Sequence, residues 1–166
     1  MKQKKTNAMR MLDRSKIPYE VNTYEVSEIH MDGESVAEKV GVDPGLVYKT
    51  LVLENTNHAH FVFVIPVRES LDMKAAAHAV GEKKLNLMPL DDLKKVTGYI
   101  RGGCSPIGMK RAFPTIIDQQ AMDIDTLYVS GGERGTQIKI DVRDLINVTK
   151  AKVVDQIGRA SCRERV

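Results

Sequence analysis

Lys49 is the lone charge in an apolar run, Val47-Tyr48-Lys49-Thr50-Leu51-Val52-Leu53. Strand side chains alternate between faces, so Lys49 shares a side with Val47, Leu51 and Leu53 if the strand runs straight. An ammonium on such a face either snorkels from an exposed first turn or is held there for a ligand or for chemistry. Two glycine-rich loops bear on that choice. One is Gly98-Tyr99-Ile100-Arg101-Gly102-Gly103-Cys104-Ser105-Pro106-Ile107-Gly108, and the other is Tyr128-Val129-Ser130-Gly131-Gly132-Glu133-Arg134-Gly135. Glycine admits a ligand close to the main chain, and successive N–H groups in such turns form concave nests for anions or polarised carbonyls. Neither loop closes on Gly-Lys-Ser/Thr as a P-loop does, and neither has the dinucleotide fingerprint. Taken alone, the second also reads as a plain hairpin connection.

Other chemistries fit less well. Cys104 as a nucleophile needs a histidine base near it in space, and His30, His58, His60 and His78 fall in no catalytic signature. No Gly-x-Ser-x-Gly elbow is present. His58-Ala59-His60 offers two metal ligands on a turn with no third in view, so no metal is expected. What remains is Lys49, the hydroxyls of Tyr24, Thr50 and Ser130, and backbone donors at Gly102 and Gly103. Such a set is better at binding and orienting than at supplying a nucleophile.

The elements that position these groups follow from pattern. Thr6 or Asn7 caps a helix with Ala8, Met9 and Leu12 on its apolar side, ending before Pro18. Tyr19 to Val26 alternates as a strand, and a helix over Glu34 to Val40 stops at Gly41. Asp43-Pro44 turns into the Lys49 strand, and Asn55 to His58 turns it back into His60 to Pro66. Asp72 caps a helix from Met73 to Val80, closed by Gly81. A short strand over Leu85 to Met88 and a helix over Pro89 to Val96 follow. Pro114 to Ile117, Thr126 to Val129 and Gln137 to Ile140 are strands, and Asp141 caps a last helix through Asn147. Strands pairing mostly as hairpins with helices between predict an α+β fold, a single domain with a mixed, mostly antiparallel sheet and surrounding helices.

Bulk properties bound the classes. A chain of 166 residues, 42% hydrophobic and 28% charged, can bury one core as an ordinary globular domain. No apolar run is long enough to span a bilayer, and Met1-Lys2-Gln3-Lys4-Lys5 is no signal peptide, so a cytoplasmic location is expected. Two cysteines make no disulfide framework. A net charge of +3 is compatible with touching an RNA backbone but far below that of a dedicated nucleic-acid binder. Residues 157–166, with Gly158-Arg159-Ala160-Ser161-Cys162-Arg163-Glu164-Arg165, lack an apolar period and read as vector read-through or a disordered tail, leaving a domain over 1–156. Arg159, Arg163 and Arg165 against Glu164 supply +2 of the +3.

Four motifs in order carry a resemblance: Tyr48-Lys49-Thr50-Leu51; Gly98-Tyr99 with Gly102-Gly103-Cys104-Ser105-Pro106-Ile107-Gly108; Thr115-Ile116-Ile117-Asp118; and Tyr128-Val129-Ser130-Gly131-Gly132-Glu133-Arg134-Gly135. From about Asn7 to Val154 the chain resembles the YbaK family of trans-acting aminoacyl-tRNA deacylases, which remove cysteine mischarged onto proline tRNA. The resemblance implies that family's α+β editing fold and a substrate that brings its own nucleophile, the thiol of the esterified cysteine. It implies Lys49 as the essential residue, with Tyr24, Met31, Thr50, Gly102, Gly103, Ser105, Ser130 and Gly131 as substrate contacts. No cofactor is implied; aminoacyl-tRNA is the partner, with prolyl-tRNA synthetase a candidate second, and a monomer or weak dimer is expected. Two departures stand out. The family's bulky apolar side chain before the second helix has Met31 as its nearest counterpart, and Gln137 replaces a residue that is acidic or a hydroxyl in some relatives. A sister group that clears alanine follows its lysine with asparagine and its loop with Thr-Pro, so Lys49-Thr50 and Ser105-Pro106 favour the cysteine type. A non-catalytic module that binds a nucleotide or the tRNA 3′ end is the alternative from another class.

Overall fold

A computed structural model describes residues 5–24, 41–101, 103–155 and 157–159. Met31, Gly102 and the helix expected over Glu34 to Val40 lie outside the described residues. Thr6 starts helix α1 (Asn7–Arg14) by accepting from the Met9 N–H at 3.2 Å, and α1 buries Ala8, Met9 and Leu12. Strand β1 is Glu20–Thr23. Strands β2 (Tyr48–Glu54) and β3 (His60–Pro66) form a hairpin. Its turn is held by Asn55, whose side-chain oxygen accepts from the N–H groups of Asn57 and Ala59, each at 2.9 Å. After β4 (Ser70–Leu71), Asp72 caps α2 (Met73–Ala79) through the N–H groups of Lys74 and Ala75, each at 3.1 Å. Strand β5 (Asn86–Leu87) leads to α3 (Leu90–Thr97), which has no side-chain cap; Asp91 and Asp92 in its first turn suit the positive end of the helix. Gly98, at φ 88°, closes it.

The remaining elements are β6 (Thr115–Asp118), β7 (Thr126–Ser130), β8 (Thr136–Asp141), α4 (Val142–Thr149), β9 (Lys152–Val154) and β10 (Gly158–Arg159). The fold is α+β with a mixed sheet, as expected. Its five strands run β5-β2-β3-β6-β9, antiparallel through β3 and parallel from β3 to β9. Strands β1, β8 and β7 form a separate antiparallel sheet. Among the described residues a single parallel bridge, Val47 to Tyr128, joins the two sheets.

Alternation sorts the two larger cores. Tyr48, Val52, Val62 and Val64 face the space between the sheets with Leu127, Val129, Ile138 and Ile140, and α1 closes it with Ala8, Met9 and Leu12. On the other face of the mixed sheet, Leu53, Phe61, Phe63, Ile65 and Ile116 pack on Ala76 and Ala77 of α2 and on Leu85. Ile157 joins this second core fully buried, its carbonyl accepts from the Asp72 N–H at 2.7 Å, and β10 pairs with β4. Residues 157–159, expected in the tail, therefore pack on the domain, because an apolar side chain there fills space beside α2 whatever its origin. Residues 160–166 lie outside the described residues.

Candidate functional site

The bridge between Val47 and Tyr128 fixes the geometry around Lys49. Two residues further along each strand come Lys49 on β2 and Ser130 on β7. Since residues i and i+2 share a face, the strands turn both to the same side of the seam, the side away from the space between the sheets, next to the buried Val47 and Tyr128. On the three-stranded sheet Ser130 lies directly opposite Gln137 of β8, and Gln137 directly opposite Asn22 of β1. Directly opposed residues point to the same side, so this polar row extends from Lys49's side of the seam. Tyr24, one step past β1, donates its N–H to the Gly135 carbonyl at 2.9 Å and continues the edge of the row.

The two glycine loops meet beside this seam. A β-carbon on Gly103 would lie 2.9 Å from both the Cα and the carbonyl carbon of Glu133, so only glycine lets the loops approach this closely. The first loop is pinned from within: the Tyr99 hydroxyl donates to the Ile107 carbonyl at 2.6 Å, and Thr97 donates to Leu93 while accepting from the Tyr99 N–H. The second is wedged against its neighbours. Gly132, at φ 105°, has the Thr6 side chain and the Tyr99 ring where a β-carbon would stand. Ser130 accepts from the Gly132 N–H at 3.3 Å, which leaves its hydroxyl proton to donate.

Lys49 is half-buried and forms no ion pair among the described residues. Desolvation holds its ammonium below the ordinary lysine range, and the field of Glu69 pulls it partly back. Glu69 is itself occupied, accepting from the Gln120 amide at 2.8 and 2.9 Å. Gln137 is 6% exposed, and its side-chain carbonyl oxygen accepts no hydrogen bond among the described residues. A buried acceptor without a donor costs stability, which marks it as a place for a ligand's N–H or O–H. Burial pushes the Cys104 thiol up to about 12, with a Thr97 hydrogen bond opposing, so it holds almost no thiolate at neutral pH.

Of the residues singled out in the sequence, the structure gathers Lys49, Ser130 and Tyr24 along one surface. Met31 and Gly102 lie outside the described residues. Four others are placed differently. Thr50 turns inward with Tyr48 and Val52, its buried hydroxyl unpartnered among the described residues, because adjacent strand residues face opposite ways. Ser105 is fully buried and accepts from the Ile107 N–H at 3.2 Å, so it shapes the loop from inside. The Gly103 N–H is committed to the Ile100 carbonyl at 3.0 Å. Gly131 donates its N–H to the Thr136 carbonyl at 2.9 Å, so that donor is committed, and its carbonyl accepts from the Thr6 hydroxyl. Gln137, noted in the sequence only as a departure, is the added member; its signal was a polar residue between the core-facing positions of β8.

A family model described as the aminoacyl-tRNA editing domain matches residues 30–148. The chain is similar to an Enterococcus faecalis (strain ATCC 700802 / V583) protein named "Putative Cys-tRNA(Pro)/Cys-tRNA(Cys) deacylase EbsC", at 43% identity over 153 residues, spanning 92% of this chain and 93% of that one. Among solved structures it resembles one described as "a putative trans-editing enzyme for prolyl tRNA synthetase", with a TM-score of 0.80 at 20% identity, covering 93% of this chain and 96% of that one. The structure of a hypothetical protein superposes with a TM-score of 0.82 at 18% identity over 92% of this chain and 99% of its own. At such identities the structural likeness is one of fold.

Proposed function

This chain belongs to the aminoacyl-tRNA editing domain family, and from that premise we propose how it works. It is an aminoacyl-tRNA deacylase that clears mischarged tRNA, with cysteine esterified to proline tRNA as its substrate. The observation that carries the mechanism is the half-buried Lys49 ammonium, free of ion pairs among the described residues and presented with Ser130 and Gln137 on one surface.

That surface offers donors and one unpartnered acceptor but no activated nucleophile. The substrate supplies what is missing. Its cysteine sulfur attacks its own carbonyl carbon, a C–S bond forms, and the ester C–O bond breaks. The ribose oxygen leaves with the proton the thiol gives up. Lys49 stabilises the oxyanion that develops on the carbonyl, and the Ser130 hydroxyl donates alongside it. The Gln137 carbonyl takes the substrate's α-ammonium. The rest of the rate comes from holding thiol and carbonyl together. Prolyl-tRNA synthetase is the source of the mischarged tRNA in this reading, and the cytoplasm is the proposed location. No described helix is long and apolar enough to cross a membrane.

Incubating the protein with Cys-tRNA(Pro) at catalytic concentration tests the reading. Loss of the ester supports it, protection of the ester points to a binding module, and preferential loss from Ala-tRNA points to the alanine type.

A further inference from the structure

From Leu93 to Ile117 the chain carries no acidic residue and five basic ones, Lys94, Lys95, Arg101, Lys110 and Arg111. With 157–166 set aside the whole molecule is nearly neutral, so this is a local concentration of charge. The fold gathers part of it. The end of α3 and the turn before β6 enclose a surface hollow of about 320 Å³ lined by His60, Lys95, Val96, Lys110 and Arg111. No carboxylate lines it, and neither Lys95, Lys110 nor Arg111 is in an ion pair among the described residues. Glu54 stands behind His60, with 3.9 Å between the carboxylate and the ring nitrogen. Lys110 lies with its stem over Gly98 and its ammonium 3.4 Å from the Lys95 carbonyl, so it also closes the negative end of α3.

The hollow is separate from the Lys49 surface. His60 pairs with Glu54 at one end of the β2–β3 hairpin, and Lys49 pairs with Ile65 near the other. Five residues of strand separate the two levels, on the order of 17 Å, and alternation turns His60 to the opposite face of the sheet. Unneutralised ammonium and guanidinium groups around a concave surface are what a chain of phosphates recognises, lysine as a point charge and arginine as a fork.

We propose that this hollow binds backbone phosphates of the tRNA body, away from its aminoacylated end. The proposal rests on the tRNA-deacylase reading of the Lys49 surface. Lys95 and Arg111 are exposed and hold no described element together, so the double variant K95Q/R111Q removes charge without touching the site. Binding of uncharged tRNA, measured by fluorescence anisotropy across salt concentrations, should weaken roughly ten-fold near physiological salt, with a log–log salt slope shallower by about 1 to 2. Cleavage of a cysteinyl ester on a short 3′-terminal oligonucleotide, too short to reach the hollow, should stay at the wild-type rate, while KM for full-length Cys-tRNA rises. An unchanged affinity and slope would overturn the proposal, as would equal damage to the oligonucleotide and tRNA reactions. If the wild-type protein cleaves no cysteinyl ester, the deacylase reading fails by itself, and the anisotropy series still decides whether the hollow holds RNA.

Discussion

Gly103 and Glu133 sit in different loops, yet a β-carbon on the first would stand 2.9 Å from the backbone of the second. The contact lies beside the candidate site, since the Ser130 end of β7 runs straight into the second loop. Gly103→Ala must push one backbone away. We expect it to cost about 1–3 kcal/mol of stability by overpacking and to lower kcat/KM further than that loss explains. Thermal denaturation and steady-state kinetics on the same preparation check this; an alanine variant with wild-type stability and rate would mean the loops yield freely.

Lys49→Ala should keep the fold and lose about 10²–10³ in kcat, the usual cost of removing one oxyanion donor. Lys49→Arg should not restore it, because the guanidinium is larger and planar. Burial lowers the folded-state pKa of Lys49 below its ordinary 10.5, so between those values the unfolded chain binds more protons and stability rises with pH. Below that window the buried charge costs stability. Lys49→Met removes the cost and should hold or raise Tm at neutral pH while abolishing turnover. A Lys49→Ala protein with a near-wild-type rate would end this assignment.

Cys104 should be dispensable. Its thiol is partly buried and pushed up to about 12, so Cys104→Ala or Cys104→Val should stay within a few-fold of wild type. A folded but inactive Cys104→Ala would instead indicate covalent catalysis by the protein.

Discrimination should follow chemistry rather than size. A serine ester is almost the shape of a cysteine ester, but its hydroxyl is essentially un-ionised, whereas a thiol with pKa near ~8.5 is partly thiolate at neutral pH. Fit alone rarely separates such similar groups by more than about one or two orders of magnitude. Cys-tRNA should be cleaved far faster than Ser-tRNA on the same tRNA body, and S-methylation of the cysteine should stop cleavage while binding persists. Comparable hydrolysis of the S-methylated ester would identify water as the nucleophile.

The parts legible in the sequence were those carried by short-range rules. Alternation identified the Lys49 strand and its face, and the caps at Thr6, Asp72 and Asp141 stand at the starts of α1, α2 and α4. The same alternation predicts that Thr50 looks away from Lys49; the resemblance, read motif by motif, outweighed it. Ser105 shows where sequence runs out: a hydroxyl in a glycine loop suits a ligand and a local turn equally well, and its burial is not visible in the motif. Strand β9 was missed because Lys152-Val153-Val154 is too short to show a period, and its parallel partner β6 is distant in sequence. The placing of Lys49 beside Ser130 across the seam, and the approach of Gly103 to Glu133, depend on how two loops and two sheets settle together.

The pairing of β1 with β8 joins opposite ends of the chain, and Gln137 stands in the middle of that join. Contacts so distant along the sequence carry a large loop-closure cost and form slowly. During synthesis Lys49 can enter its hairpin early, but its polar companions reach the seam only after β8 has left the ribosome. A nascent or C-terminally truncated chain would therefore carry the lysine without the rest of the surface, and β1 would remain an unpaired edge open to strands of other chains.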